Sequence, residues 1–318
     1  MSGENIREMR RLKMTTQLLA IIRYELLWNV RKKKLLGAIA AAFIITTLTL
    51  ALPVIFGSVY NRPIKSDPNY VISNSGSGSL ILFLFALVTT MNSISGEFES
   101  GTIIPLLAKP ISRTLILTGK IIAAIFTVLA AYSLLYAYLV IGGIILYGPQ
   151  DNLNLIPLCM LGDMLSTTVW MSIILATGAL SKNTTLTTVI GVITFLAANI
   201  GTSIISFFTE GAWILHYFPG NGATGYIKTL GIIRSLNLST GTDNIAKIII
   251  QYMLNPSAYV TYVKIEMGGT QVSPPIFREL YSEPLSLVLF RALVVAATYI
   301  TALLLLAWYA FKKTQVLE

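Results

Sequence analysis

Leu35 to Phe56 runs without a charged residue, and four later stretches, 121–147, 156–180, 186–208 and 285–311, carry no charge but Asp163 and Arg291. At about 1.5 Å per helical residue, runs of this length cover a hydrocarbon core of ~30 Å. Inside lipid the backbone must satisfy its own hydrogen bonds, so such runs fold as helices. Charged residues make up only 12% of the chain and apolar ones 54%, too few polar groups for a soluble exterior around 318 residues. The fold class is therefore all-α and polytopic. A sixth span begins at Leu80, where the strongly apolar part ends at Val88 and Thr89, Thr90, Asn92, Ser93 and Ser95 follow. It reaches membrane length only with those hydroxyl-bearing residues included, so they are expected to face protein or water. In the first span, the pairs Gly37/Ala41 and Ala38/Ala42 permit close helix packing.

Charge sets the orientation. The formal net charge is +9, and nine of the 23 basic residues precede Leu35. Such a cluster beside a first span sets topology and meets anionic lipid, and it does not imply nucleic-acid binding. With the N-terminus inside, fifteen basic residues fall on inside segments and seven on longer outside ones, as the positive-inside rule requires. The expectation is a multi-pass cell-membrane protein with both termini cytoplasmic. Residues 1–34 form an N-terminal segment and 35–318 the six-span domain, with outside loops at 57–79, 148–155 and 209–285. The first 34 residues show no apolar core or cleavage site of a signal peptide. Leu18, Ile22, Leu26 and Val30 mark residues 15–34 as a helix lying in the cytoplasmic interface, the alternative being an inward extension of the first span.

Within 209–285, Ile245, Ile248, Ile249, Tyr252 and Met253 recur at helical spacing. Thr242 or Asp243 is the expected cap and Asn255-Pro256 the stop, and this helix is placed on the outer surface or over the bundle end. A single cysteine, Cys159, excludes an intrachain disulfide, and His216 is the sole histidine.

Between the second and third spans lies a polar stretch, Met91 to Lys120, expected inside. It carries Glu97, Glu99, Gly101 and Thr102, then a short apolar run, then Lys109, Pro110 and Arg113. Acids at one end, bases at the other, and Gly/Pro punctuation describe a surface hairpin that a soluble partner can grip. The order Glu-x-x-x-Gly-Thr, Leu-Leu-x-x-Pro-Ile-Ser-Arg and Gly-Lys resembles the ABC-2 class of ABC-transporter membrane subunits. That resemblance implies that these seven residues couple to a separate ATPase subunit, and that two membrane subunits assemble with two ATPases. No phosphate-binding loop is present, since Gly119-Lys120 lacks the upstream glycine. ATP and Mg²⁺ thus belong to the partner, with no cofactor expected on this chain and no enzyme activity of its own. The resemblance implies a permease, most often an exporter. The alternatives are a membrane module passing ATP-driven movement to an outside partner, and an ATP-independent channel or carrier.

Asp163 and Arg291 lie at similar depth in the fourth and sixth spans. A charge at mid-membrane costs about 2.5–3.5 kcal/mol on insertion scales, so the two are expected to face inward and pair. A substrate or ion contact at Asp163, and an Arg291 that snorkels to the interface, remain open alternatives.

Overall fold

The computed structural model describes residues 3–31, 33–60, 66–102, 111–208, 213–229, 232–266 and 276–313. Six stretches are long and apolar enough to cross a bilayer: Lys33–Val59, Ser79–Glu99, Arg113–Tyr147, Leu153–Ser181, Thr184–Ser206 and Leu285–Lys313. Preceding them is α1 (Gly3–Arg31). The spans contain α2 (Lys33–Val59), α4 (Ser79–Thr90) with α5 (Ser95–Glu99), α6 (Arg113–Tyr147), α7 (Ile156–Ser181), α8 (Thr184–Leu196) with α9 (Thr202–Phe208), and α11 (Leu285–Lys313). We call the end where α2 begins and α11 ends the proximal end. The α4 and α7 spans are central, with 61% and 67% of their apolar windows buried, against 17–22% for α2, α8 and α11.

The centre explains how α4 tolerates its hydroxyls. Thr89 and Thr90 are buried and return their O–H groups to Phe85 and Ala86 carbonyls of their own helix. The helix stops at Thr90, turns through 91–94, and resumes as α5. Its distal end is completed by chain expected in a surface loop. A short helix, α3 (Tyr70–Ser73), and the Gly/Ser stretch 74–78 fold into the bundle, with Val71, Ile72 and Ser75 buried. Tyr70 stacks on Tyr147 with ring centroids 3.6 Å apart and donates its hydroxyl to the Thr49 carbonyl at 2.6 Å. In α2, Ala38 and Ala42 are buried, whereas no neighbour lies within 4 Å of a side chain added at Gly37.

α1 runs lengthwise beside α6. Ile21 sits against Gly119, Asn29 donates to Thr127, Thr47 meets Tyr138, and Leu50 packs on Gly142. Partners advance in the same direction through α1 and then α2. α1 and α2 thus follow one another along α6. At 35 residues α6 is about 52 Å long, more than a ~30 Å hydrocarbon layer requires. Its distal end is tied to α2 by Tyr147, whose hydroxyl bonds the Leu50 carbonyl at 2.8 Å. A separate hydrophobic cluster fills the proximal end, built from Ile94, Ile116, Leu117, Leu175, Ala179 and Phe311 among others.

The segment between α9 and α11 holds no membrane-length helix among its described residues, and it contains a sheet that the sequence reading did not foresee. Strands β1 (Thr224–Thr229), β2 (Ile232–Ser239), β3 (Tyr259–Glu266) and β4 (Ile276–Pro284) pair antiparallel in the order β2-β1-β3-β4. Between β2 and β3 lies α10 (Ile245–Leu254), close to its expected bounds. Of its two expected positions, the outer surface and the bundle end, the contacts fit the second, and the helix goes deeper than a cap. Ile245, Ala246 and Ile248 are buried, and a Cβ added at Gly162 of α7 would lie 2.7 Å from the Ala246 Cα. Two small residues thus let α10 press into the bundle. Neither expected cap acts as one, because both are engaged elsewhere: the Thr242 hydroxyl accepts the Gly220 N–H, and the Asp243 carboxylate receives the Trp170 indole N–H at 2.8 Å. Trp170 lies about 20 Å along α7 from its distal end, so the 240–246 turn descends well into the bundle.

Candidate functional site

Three residues of the 91–120 stretch each hold a different helix at the proximal end. Glu97 Oε1 accepts from Lys120 Nζ at 2.6 Å, and the same ammonium donates to Glu25 Oε1 of α1 at 2.5 Å. Lys120 is only 4% exposed, so a single cation buried between two carboxylates joins α5, α6 and α1. Glu99 Oε1 accepts the Thr184 N–H at 2.9 Å, placing a carboxylate at the N-terminus of α8, where orphan donors and the helix dipole favour it. Asn183 completes that cap by accepting from Leu186 N–H. Arg113 Nη1 donates to the Lys312 carbonyl at 2.9 Å and the Phe311 carbonyl at 3.3 Å, capping the C-terminal end of α11. One residue on, Thr114 Oγ1 accepts the Trp308 indole N–H at 3.0 Å. Ser112 starts α6 by accepting from Leu115 N–H.

Gly101 adopts φ +68°, a left-handed turn that suits glycine, and Thr102 bonds the Ser100 hydroxyl at 2.9 Å. Residues 99–102 are exposed. Lys109 and Pro110 lie outside the described residues. The stretch is thus less a row of acids and bases held out to a partner than a joint: Glu97 and Arg113 are spent within the chain, and the exposed surface is the 99–102 turn. Glu25 and Lys120 were missed as members. The available signal was the four-residue spacing of Ile21, Glu25 and Asn29 along α1, which puts a carboxylate and an amide on the face against α6.

In the distal half, Asp163 and Arg291 do not meet. Asp163 Oδ2 accepts the Ser77 N–H at 2.7 Å and the Tyr136 O–H at 2.8 Å. Arg291 makes a bidentate pair with Glu283, at 2.8 and 2.6 Å, and Glu283 also accepts from Tyr262 at 2.6 Å. The reason is local: β4 runs directly into α11, so Glu283 stands two turns before Arg291 and answers its charge first. Around this pair, His216 bonds Thr240 at 2.9 Å and Tyr281 at 3.0 Å, and Tyr262 stacks on Tyr281. Burial, reinforced by the Arg291 charge, pushes His216 down to about 4. Burial works against the Glu283 carboxylate, but the Arg291 and Tyr262 bonds outweigh it and hold it below its ordinary value. Burial pushes Asp243 up to about 7 against the pull of the Trp170 indole.

Among the described residues, six helical stretches of membrane length, laced together at one end and carrying a small sheet at the other, define a multi-pass helical membrane protein. The chain belongs to the ABC-2 family of transporter proteins, whose family model matches residues 19–316. A comparison with curated proteins returns no significant match. Family membership makes the chain a membrane component of an ABC transporter.

Proposed function

We propose that this chain is the membrane-spanning permease subunit of an ATP-driven exporter, coupled through residues 97–113 to a separate ATPase that binds ATP and Mg²⁺. In this reading the proximal end is cytoplasmic, both termini are inside the cell membrane, and two permease subunits, identical or different, assemble with the ATPases. The observation that carries it is the proximal joint. Glu97 and Glu99 of α5 hold α6, α1 and α8, Arg113 ties the start of α6 to α11, and the turn 99–102 beside them is exposed. A push on that turn reaches four helices at once. Six spans whose inside segments hold most of the cations support the orientation.

The test is purification of the chain with its ATPase from native membranes and measurement of ATP hydrolysis. Changing Ser100 and Thr102 to Trp alters only exposed positions, so the chain is expected to insert normally. ATPase retention or hydrolysis is expected to fall at least tenfold, while Asn237→Trp on β2 leaves both intact. Full retention and turnover in the Ser100/Thr102 variant would overturn coupling through this turn.

The distal sheet favours one second reading, a module that passes movement to an extracytoplasmic partner. It is bound to α11 by the Glu283–Arg291 pair, and α11 is held at its other end by Arg113. Hydrolysis in liposomes that responds to a translocated substrate supports the exporter; hydrolysis that responds only to an added outside protein supports the module.

A further inference from the structure

We propose that the pocket between α2, the 74–78 loop and α6 binds the head of an amphiphile bearing an ammonium group, with Asp163 supplying the attraction. The pocket has a cavity volume of about 70 Å³ and opens to the outside of the fold, so it takes in the head of a molecule and leaves the rest of its chain outside. Its walls are mixed: Ile45, Leu135 and Leu139 are apolar, while Thr46, Asn74 and Tyr136 bring oxygen and nitrogen atoms. That composition suits a molecule with one apolar chain and one polar end. One wall is α2, most of whose apolar surface is uncovered by the rest of the chain. Wherever that surface meets lipid, an occupant dissolved in the bilayer has a short route in.

The charge preference follows from what stands behind the wall. Ser77 and Tyr136 line the pocket and are also the two donors to Asp163 Oδ2. Gly76 N–H in turn donates to the Tyr136 hydroxyl at 3.2 Å, which closes the wall. Asp163 is fully buried and its Oδ1 has no hydrogen-bond partner. Among the described residues it makes no ion pair. The Lys247 stem rests on Gly76, and its charge acts on Asp163 without a direct ion pair. A buried acid held by neutral donors, with one unpartnered oxygen and no direct ion pair, leaves negative potential at the pocket wall. An ammonium group on the pocket side is attracted, a carboxylate is repelled, and a neutral alcohol feels neither.

This assignment deepens the transport reading by naming a substrate class, but its test needs no ATPase, so either can fail alone. The full-length chain in zwitterionic nanodiscs is titrated with octylammonium, octanol and octanoate, which share one chain length, with empty nanodiscs as the partition control. Saturable octylammonium binding at least tenfold tighter than octanoate is expected, with octanol between them. Asp163→Asn keeps an acceptor for Ser77 and Tyr136 and should reduce the octylammonium-to-octanoate ratio below threefold. Leu139→Trp fills the pocket, keeps the charge, and should remove saturable binding of all three. Equal binding of octylammonium and octanoate to the unmodified chain would overturn the proposal, as would saturable binding that survives Leu139→Trp. Should Asp163→Asn fail to fold, those two outcomes still decide it.

Discussion

Arg291 shows how a membrane-buried charge chooses its partner. Both its terminal nitrogens engage Glu283, and Tyr262 adds a third bond to the same carboxylate. Removing one member of such a pair strands the other, a loss on the order of 3–5 kcal/mol, whereas removing both is far milder. Arg291→Gln and Glu283→Gln are each expected to lower the thermal midpoint of the detergent-solubilised chain. The double change is expected to recover most of that loss. Additive losses would show the contact to be unimportant. The same residues mark the limit of what was legible. Asp163 and Arg291 were visible as anomalies in apolar runs, but each took a partner from positions that sequence spacing treated as loop: Ser77 from a Gly/Ser stretch and Glu283 from a strand end. Depth along a span can be counted from sequence; the chain that folds back into the bundle cannot.

At the scale of elements, the long uniform runs were readable because lipid allows few solutions: five spans appear within about four residues of their expected bounds, while α6 begins at Arg113, eight residues before the expected Ile121. The helix α10 was readable from its period, and the bundle end was one of its two expected places, but the depth of its insertion was not, because the decisive contact is backbone against backbone at Gly162 and Ala246. A valine at 162 has no room there, and overpacking of this kind costs about 1–3 kcal/mol. Gly162→Val should therefore lower the thermal midpoint by several degrees. Gly37→Ala, in α2 with open space around it, should leave the midpoint unchanged or raise it slightly, since glycine inside a helix costs about 0.5–1 kcal/mol relative to alanine. Equal effects from the two changes would contradict the insertion of α10. The four strands escaped notice because their alternation is short and interrupted, and because a sheet this small is set by pairing across distant segments.

For the whole molecule, orientation is the property on which the coupling argument depends. Single cysteines at Thr185, beside the exposed turn before α8, and at Asn237, exposed on β2, lie at opposite ends of the bundle. In a Cys159→Ala background, an impermeant thiol reagent added to whole cells should label position 237 and spare 185 until the membrane is opened. The reverse pattern would invert the topology and remove the proximal end from any cytoplasmic ATPase. The central placement of α4 also has a consequence for how the protein is made. Its hydroxyl-rich end and its broken course through 91–94 are covered by α7 and α8, which the ribosome has not yet produced when α4 emerges. At about 5–20 residues per second, roughly 4–16 s separate Glu99 from Ser181. During that interval the second span lacks the neighbour that covers it, so the insertion machinery must hold it beside the exit site until the fourth span arrives.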